Sequence, residues 1–270
     1  YEIELGTLWQ LLVWKVLNLG NAPHDVTLLS NIVFDIRLPR ILAVVLVGAA
    51  LSVSGGAFQA MFVNPLVSPG ILGVLAGASF GAALGIMISN SWLGVQFFAF
   101  LFGFVAVLAA LGVAKIYGRS GAQTILLVLG GVISSSLFSA LLSVVKFVAD
   151  PYNKLPTIVY WLMGSFSAVD MKTLASVALP LFISTIILSL MGKYLNILSL
   201  GDDDAKALGV RVTWVRNSAI LLATLLSTLT VVVAGMIGWV GLIIPHIARF
   251  LVGADNRILL PMCALLGATF

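Results

Sequence analysis

The feature that most limits this chain is its repeated run of uncharged apolar residues, each about as long as a bilayer is thick. Residues 41–63, ILAVVLVGAALSVSGGAFQAMFV, contain no ionisable side chain. A helix needs about 20 such residues to cross the hydrocarbon core, and within it every backbone polar group finds a partner in its own segment. This run, taken as a span over 39–61, is followed by others at 70–89, 92–115, 123–147, 174–195 and 217–236, a shorter one at 238–252 and a last one from 258. They predict an all-α chain, a polytopic transmembrane bundle of about eight helices. Only 9% of the residues are charged, against about a quarter in soluble domains. The ten-residue alternation of an outer-membrane barrel is absent.

The same scarcity of polar groups excludes several kinds of chemistry. Cys263, the single cysteine, cannot build a disulfide framework or a thiolate cluster. The formal net charge of +4 is spread over loops, which gives no footprint for nucleic acid. His24 and His246 lack metal-ligand spacing, and no H-E-x-x-H, G-x-S-x-G or Walker pattern occurs, so neither a catalytic nor a metal site is expected. The spans carry no mid-membrane carboxylate. A secondary transporter driven by protons or sodium, the reading from another class, would need one. A protein of this kind that moves a solute must draw its energy from a partner.

The whole chain, 1–270, reads as one transmembrane domain. Residues 1–36, with Trp9 and Trp14, suit an external segment at the membrane surface. Residues 37–197 and 216–270 hold the membrane helices, and 198–215 form a polar loop between them. The stretch 148–173, with its proline, tyrosine and tryptophan, suits short interfacial helices. The chain opens on YEIELGTLWQ without an initiator Met and stops inside LLPMCALLGATF, so it reads as C-terminally truncated. If loops alternate sides, Lys115, Arg119, Lys193, Lys206, Arg211, Arg216, Arg249 and Arg257 share one side, and Lys15, Arg37, Arg40, Lys146, Lys154 and Lys172 the other. The larger set marks the cytoplasm, and the polar loop falls on that side.

Small residues recur every four positions. Gly48, Ser52, Gly56 and Ala60 do so in the first span, Gly73, Gly77, Gly81 and Gly85 in the second, and Gly131, Ser135, Ser139 and Ser143 in the fourth. This spacing puts each set on one helical face, where it lets neighbouring backbones approach closely. Ser134, Ser135 and Phe138 are candidates for lining a pathway, although serines can equally bond back to their own helix.

The polar loop reads LSLGDDDAKALGVRVTWVR. Asp202 or Asp203 is a suitable N-cap, the following aspartates favour a first helical turn, and Gly209 after Leu208 is a natural stop. One or two turns of helix result, with Ala205, Leu208 and Val210 as its apolar residues, shaped to enter a groove on a partner. Arg211 to Arg216 suit a second short turn. A solvated loop with a capped turn fits the same residues.

Four stretches together carry a family resemblance: RLPRILAVVLVGAALSVSGGAFQAMFVNPLVSPGILGVLAGASFGA from Arg37, YWLMGSFSAVD from Tyr160, LSLGDDDAKALGV from Leu198, and GMIGWVGLIIPHIARFLVGADNRILLP from Gly235. In this order they resemble the permease subunits of the ATP-binding-cassette importers for ferric siderophores, haem and vitamin B12, some of which handle molybdate. The resemblance implies a ten-helix fold, of which this chain holds the part from after the first helix into the ninth. It implies a homodimer in the bacterial cytoplasmic membrane with two ATPase subunits, and a periplasmic or lipid-anchored binding protein that delivers the solute, a ferric siderophore being the first expectation. No cofactor is expected on this chain; ATP and Mg belong to the ATPase.

Residue roles follow from the same resemblance. Arg37 and Arg40 match the external arginines that meet acidic residues of the binding protein, a contact to which the guanidinium fork is suited. Gly201, Asp202, Asp203, Asp204, Ala205, Leu208, Gly209 and Val210 match the cytoplasmic coupling helix that docks on the ATPase. GWVGLIIPH, from Gly238, is expected to serve packing, with Pro245 kinking its helix and His246 held by a hydrogen bond. Asn64, Pro65 and Pro69 are expected to shape a tight turn.

Overall fold

The computed structural model describes residues 3–17, 19, 24–89, 91–117 and 123–270, and all regular structure among them is helical. In chain order the helices are α1 (Leu5–Leu17), α2 (Val26–Phe62), α3 (Val74–Ile88), α4 (Trp92–Tyr117), α5 (Gln123–Val148) and α6 (Lys154–Met163). They continue with α7 (Met171–Leu190), α8 (Gly192–Leu198), α9 (Asp202–Ala207), α10 (Val212–Ala234), α11 (Val240–Val252) and α12 (Asn256–Thr269). Of these, α2, α4, α5, α7 and α10 are long and apolar enough to cross a membrane, while α3, α11 and α12 are shorter apolar helices. Each falls on one of the expected spans. Arg119, one of the charges assigned to the cytoplasmic side, lies outside the described residues.

Two boundaries differ from expectation. The first span does not begin near Arg37: helix runs unbroken from Val26, through a π-helical segment Asn31–Arg37, into Leu38–Phe62. Pro39 has no N–H to donate and its ring crowds the carbonyl one turn back, and the widened π turn just ahead of it absorbs that conflict. Residues 26–36 therefore belong to the same continuous helix as the first span, and Lys15 of α1 reaches them by donating to Ser30 Oγ at 3.0 Å. The second difference is α10, which begins at Val212. Residues 211–216 form no separate turn, because Val212, Val215, Ala219 and Ala223 already continue one buried helical face.

The centre of the bundle is α2 and α10. Over their most apolar windows they are 61% and 72% buried, whereas α4, α5 and α7 are 33%, 28% and 28% buried and lie at the periphery. The small-residue stripes explain how closely the helices approach. A Cβ at Gly77 or Gly81 would overlap the carbonyls of Phe102 and Phe98 on α4, and Gly48 of α2 meets Gly267 of α12 backbone to backbone. The stripe on α5 behaves differently: Gly131 abuts Ile71, but Ser139 and Ser143 face outward.

Hydrogen bonds define the two ends. At one, Arg40 Nη2 donates to the Ser167 carbonyl at 2.9 Å, and the Ser165 N–H donates to the Ala234 carbonyl at the end of α10, also at 2.9 Å. At the other, Asn196 of α8 donates to Asp255 at 2.6 Å and accepts from the backbone N–H of Asn256 at 2.8 Å. With 20 residues of α7 between them, the ends stand about 30 Å apart. From Ala234 the chain returns without helix through GMIGW, until Gly241 packs against Gly55 part-way along α2, so α11 begins inside the bundle.

Candidate functional site

The polar loop folds into a short helix with both ends fixed by backbone. Gly201, at φ 109°, turns the chain into α9, and the Ala205 N–H donates to its carbonyl at 3.0 Å. The cap is therefore a glycine and no aspartate side chain caps the helix. Asp202, Asp203 and Asp204 fill the first turn, where the helix dipole favours negative charge. The other end is a Schellman closure: Val210 N–H donates to Ala205 O at 3.0 Å, Gly209 N–H donates to Lys206 O at 2.9 Å, and Gly209 holds the required φ of 78°.

The expected apolar face divides in two. Ala205 is fully buried and Val210 half-buried against the core, so these residues seat α9 on its own bundle beside Leu195, Leu198, Val212 and Val215. Leu208 is 61% exposed and Trp214, in the first turn of α10, is 67% exposed. Beside them opens a groove of about 600 Å³, lined by Lys206, Val210, Arg211, Trp214 and Leu221 among others. Asp203 is exposed and pairs with Lys206 at 3.1 Å.

Asp202 does something the sequence did not announce. Arg216, which looked like a loop charge, is 4% exposed on the buried face of α10 and donates to both carboxylate oxygens of Asp202, at 3.1 and 2.5 Å. The guanidinium hydrogen bond, opposed by partial burial, holds the Asp202 carboxyl below the usual carboxylate range. A signal was present, since Arg216 lies four residues after Val212 and three before Ala219, on the helical stripe that buries both.

At the opposite end Arg37 and Arg40 are both exposed. Arg40 is hooked to Ser167, whose hydroxyl lies 3.1 Å from Tyr160 Oη and receives the Ser165 hydroxyl at 2.8 Å. This joins the RLPR and GSFSAVD stretches in space. The expected pathway residues separate. Ser134 is buried and donates to the Ala106 carbonyl at 2.7 Å, and Phe138 is buried among Phe80 and Phe102; both face neighbouring helices. Ser135 is half-buried, and the hydroxyls facing outward on α5 are Ser136, Ser139 and Ser143. His246 makes no side-chain hydrogen bond among the described residues; its ring packs edge-to-face on Phe250 at 4.8 Å. In NPLVSPG, Asn64 Oδ1 accepts from Leu66 N–H at 2.9 Å, the local turn expected there.

Long apolar helices packed through glycines, with a fixed polar helix at one end and exposed arginines at the other, suit a multi-pass membrane protein. Residues 3–270 match the FecCD transport family, to which this chain belongs, and its members are permease subunits of ATP-binding-cassette importers that leave ATP hydrolysis to a separate subunit. It is 42% identical to the molybdate import system permease protein MolB of Haemophilus influenzae, covering 100% of this chain and 78% of that protein. It is 38% identical to a Helicobacter pylori protein named "Probable iron chelatin transport system permease protein", over 97% of this chain and 78% of that one. Its fold resembles an inward-facing structure described as a metal-chelate type ABC transporter, with a TM-score of 0.84 and 40% identity over 98% of this chain and 86% of that one.

Proposed function

We propose that this chain carries a ferric chelate, delivered by an external binding protein, through a homodimer driven by two ATPase subunits docked on α9. The observation that carries the reading is the geometry around α9, a helix closed at both ends by backbone hydrogen bonds, with Leu208 at its C-terminal end and Trp214 in the first turn of α10 both largely exposed. Arg37 and Arg40 receive the binding protein at the other end, and the outward serines of α5 border the pathway at the homodimer axis. ATP and Mg act on the partner subunit. The iron chelatin relative supports an iron complex as cargo, and the metal-chelate structure supports a chelated metal without naming which. Molybdate is the second reading, favoured by the 42% identity to MolB.

Docking and cargo are tested separately. Leu208→Glu with Trp214→Glu is expected to lose at least about tenfold in ATPase retained on the tagged permease, two apolar contacts of this kind being worth well over the 1.4 kcal/mol that a factor of ten requires. Full retention would overturn the docking assignment. Uptake of labelled ferric chelate against labelled molybdate, in vesicles containing the binding protein, decides the cargo.

A further inference from the structure

The connection between α9 and α10 contains no slack. After the Schellman closure, Val212 N–H donates to Val210 O at 2.9 Å across Arg211, whose φ of −75° and ψ of 79° make an inverse γ-turn, and α10 starts at once. Arg216 then ties the first residue of α9 to the second turn of α10 through two parallel hydrogen bonds. Two such bonds fix orientation as well as distance. Met61 and Phe62 of α2, Leu127 of α5 and Ile220 surround the arginine.

We propose that the Asp202–Arg216 pair is a strut that makes α9 and α10 one rigid lever, and that Arg216 is the positioning residue through which displacement of the docked helix enters the membrane. The proposal rests on the reading of α9 as the ATPase-docking helix. Stability alone is a poor reason for such a pair, because a buried ion pair is commonly replaced by apolar residues without loss. Geometry is the better reason. The 23 residues of α10 reach about 34 Å, and at the far end the Ala234 carbonyl holds Ser165, whose hydroxyl contacts Ser167, which in turn holds Arg40. Along its length α10 is gripped by α2, where Ser54 donates to the Ala223 carbonyl at 3.1 Å and contacts Ser227 at 3.2 Å. A push at α9 therefore reaches the centre and the opposite end through bonded contacts.

The test uses the assembled transporter in proteoliposomes and reads substrate moved per ATP hydrolysed. Arg216→Met removes the charge, and Arg216→Lys keeps the charge without the fork. Both are expected to retain the ATPase and to lower the ratio at least about tenfold, since lysine does not substitute for a bidentate arginine. The double exchange Asp202→Arg with Arg216→Asp is expected to recover part of the ratio. An unchanged ratio in Arg216→Met overturns the strut. Loss of ATPase binding in Arg216→Met also overturns it, showing that the pair shapes the docking surface, while leaving the reading of α9 intact. Retained ATPase and full transport in Leu208→Glu with Trp214→Glu instead remove that reading. A measurement that keeps the native pair uses spin labels at Ala207→Cys and Leu221→Cys. In transporters with labels on one of the two permease copies, one narrow distance, the same with and without ATP, is expected, and a shift or broadening overturns the rigid lever even if every Arg216 variant misfolds.

Discussion

At the residue scale, polar groups in an apolar chain are informative because each must be satisfied or explained. Most hydroxyls here bond back to their own helix, as Ser79 does to Leu75 O at 2.6 Å and Thr228 to Thr224 O at 2.9 Å. Thr224 Oγ1 is the buried polar side-chain atom left without a partner among the described residues. Its removal relieves a desolvation cost and leaves the shape unchanged. Thr224→Val is therefore expected to stabilise the protein by about 1 kcal/mol, measured as a higher unfolding temperature in detergent. Arg216 is the opposite case. It is a buried charge whose cost is met by a bidentate carboxylate, and the same carboxylate accounts for Asp202 standing apart from its exposed neighbours Asp203 and Asp204.

At the element scale, the pair between α9 and α10 has a definite response to pH. The Asp202 carboxyl is held below its ordinary value of 3.8 by the Arg216 hydrogen bond. A depressed carboxylate contributes above its unfolded pKa and loses that contribution only as pH falls through the folded one. Substrate moved per ATP is thus expected to stay level from about pH 5.5 to 8 as far as this contact is concerned. A fall within that range, absent from a parallel series on Arg216→Met, would show that Asp202 titrates where the pair should prevent it. The elements themselves were largely legible, because about 20 uncharged apolar residues in a row leave a chain few alternatives, and Gly209 announced the end of α9. What single residues face was less legible. The apolar run beginning at 39 suggested a helix start there, yet the π turn Asn31–Arg37 carries the helix back to Val26. Ser134 and Phe138 have the chemistry of a pathway, but in a bundle polar or aromatic residues pack inward as readily as outward, and only three-dimensional neighbours separate the cases. Ala205 was assigned to a partner for the same reason, whereas it seats the helix on its own core.

At the scale of the whole molecule, a core of α2 and α10 is wrapped by helices that leave much of their surface outside the chain. The outward face of α5 combines Ser136, Ser139 and Ser143 with Val132 and Leu129, a mixture that suits an intermittently wet boundary better than lipid. Ser139→Trp is expected to reduce uptake by at least about tenfold through steric closure, with ATPase retention unchanged; normal uptake would move the pathway to another face. The row of contacts from Asp202 through Arg216 and α10 to Ala234, Ser165, Ser167 and Arg40 also joins the two ends of the molecule. Energetic linkage between two binding events is symmetric. If nucleotide on the inside alters the grip on the binding protein outside, then arrival of that protein must alter the grip on nucleotide by the same factor, and the permease is as much a sensor of its cargo as a conduit for it.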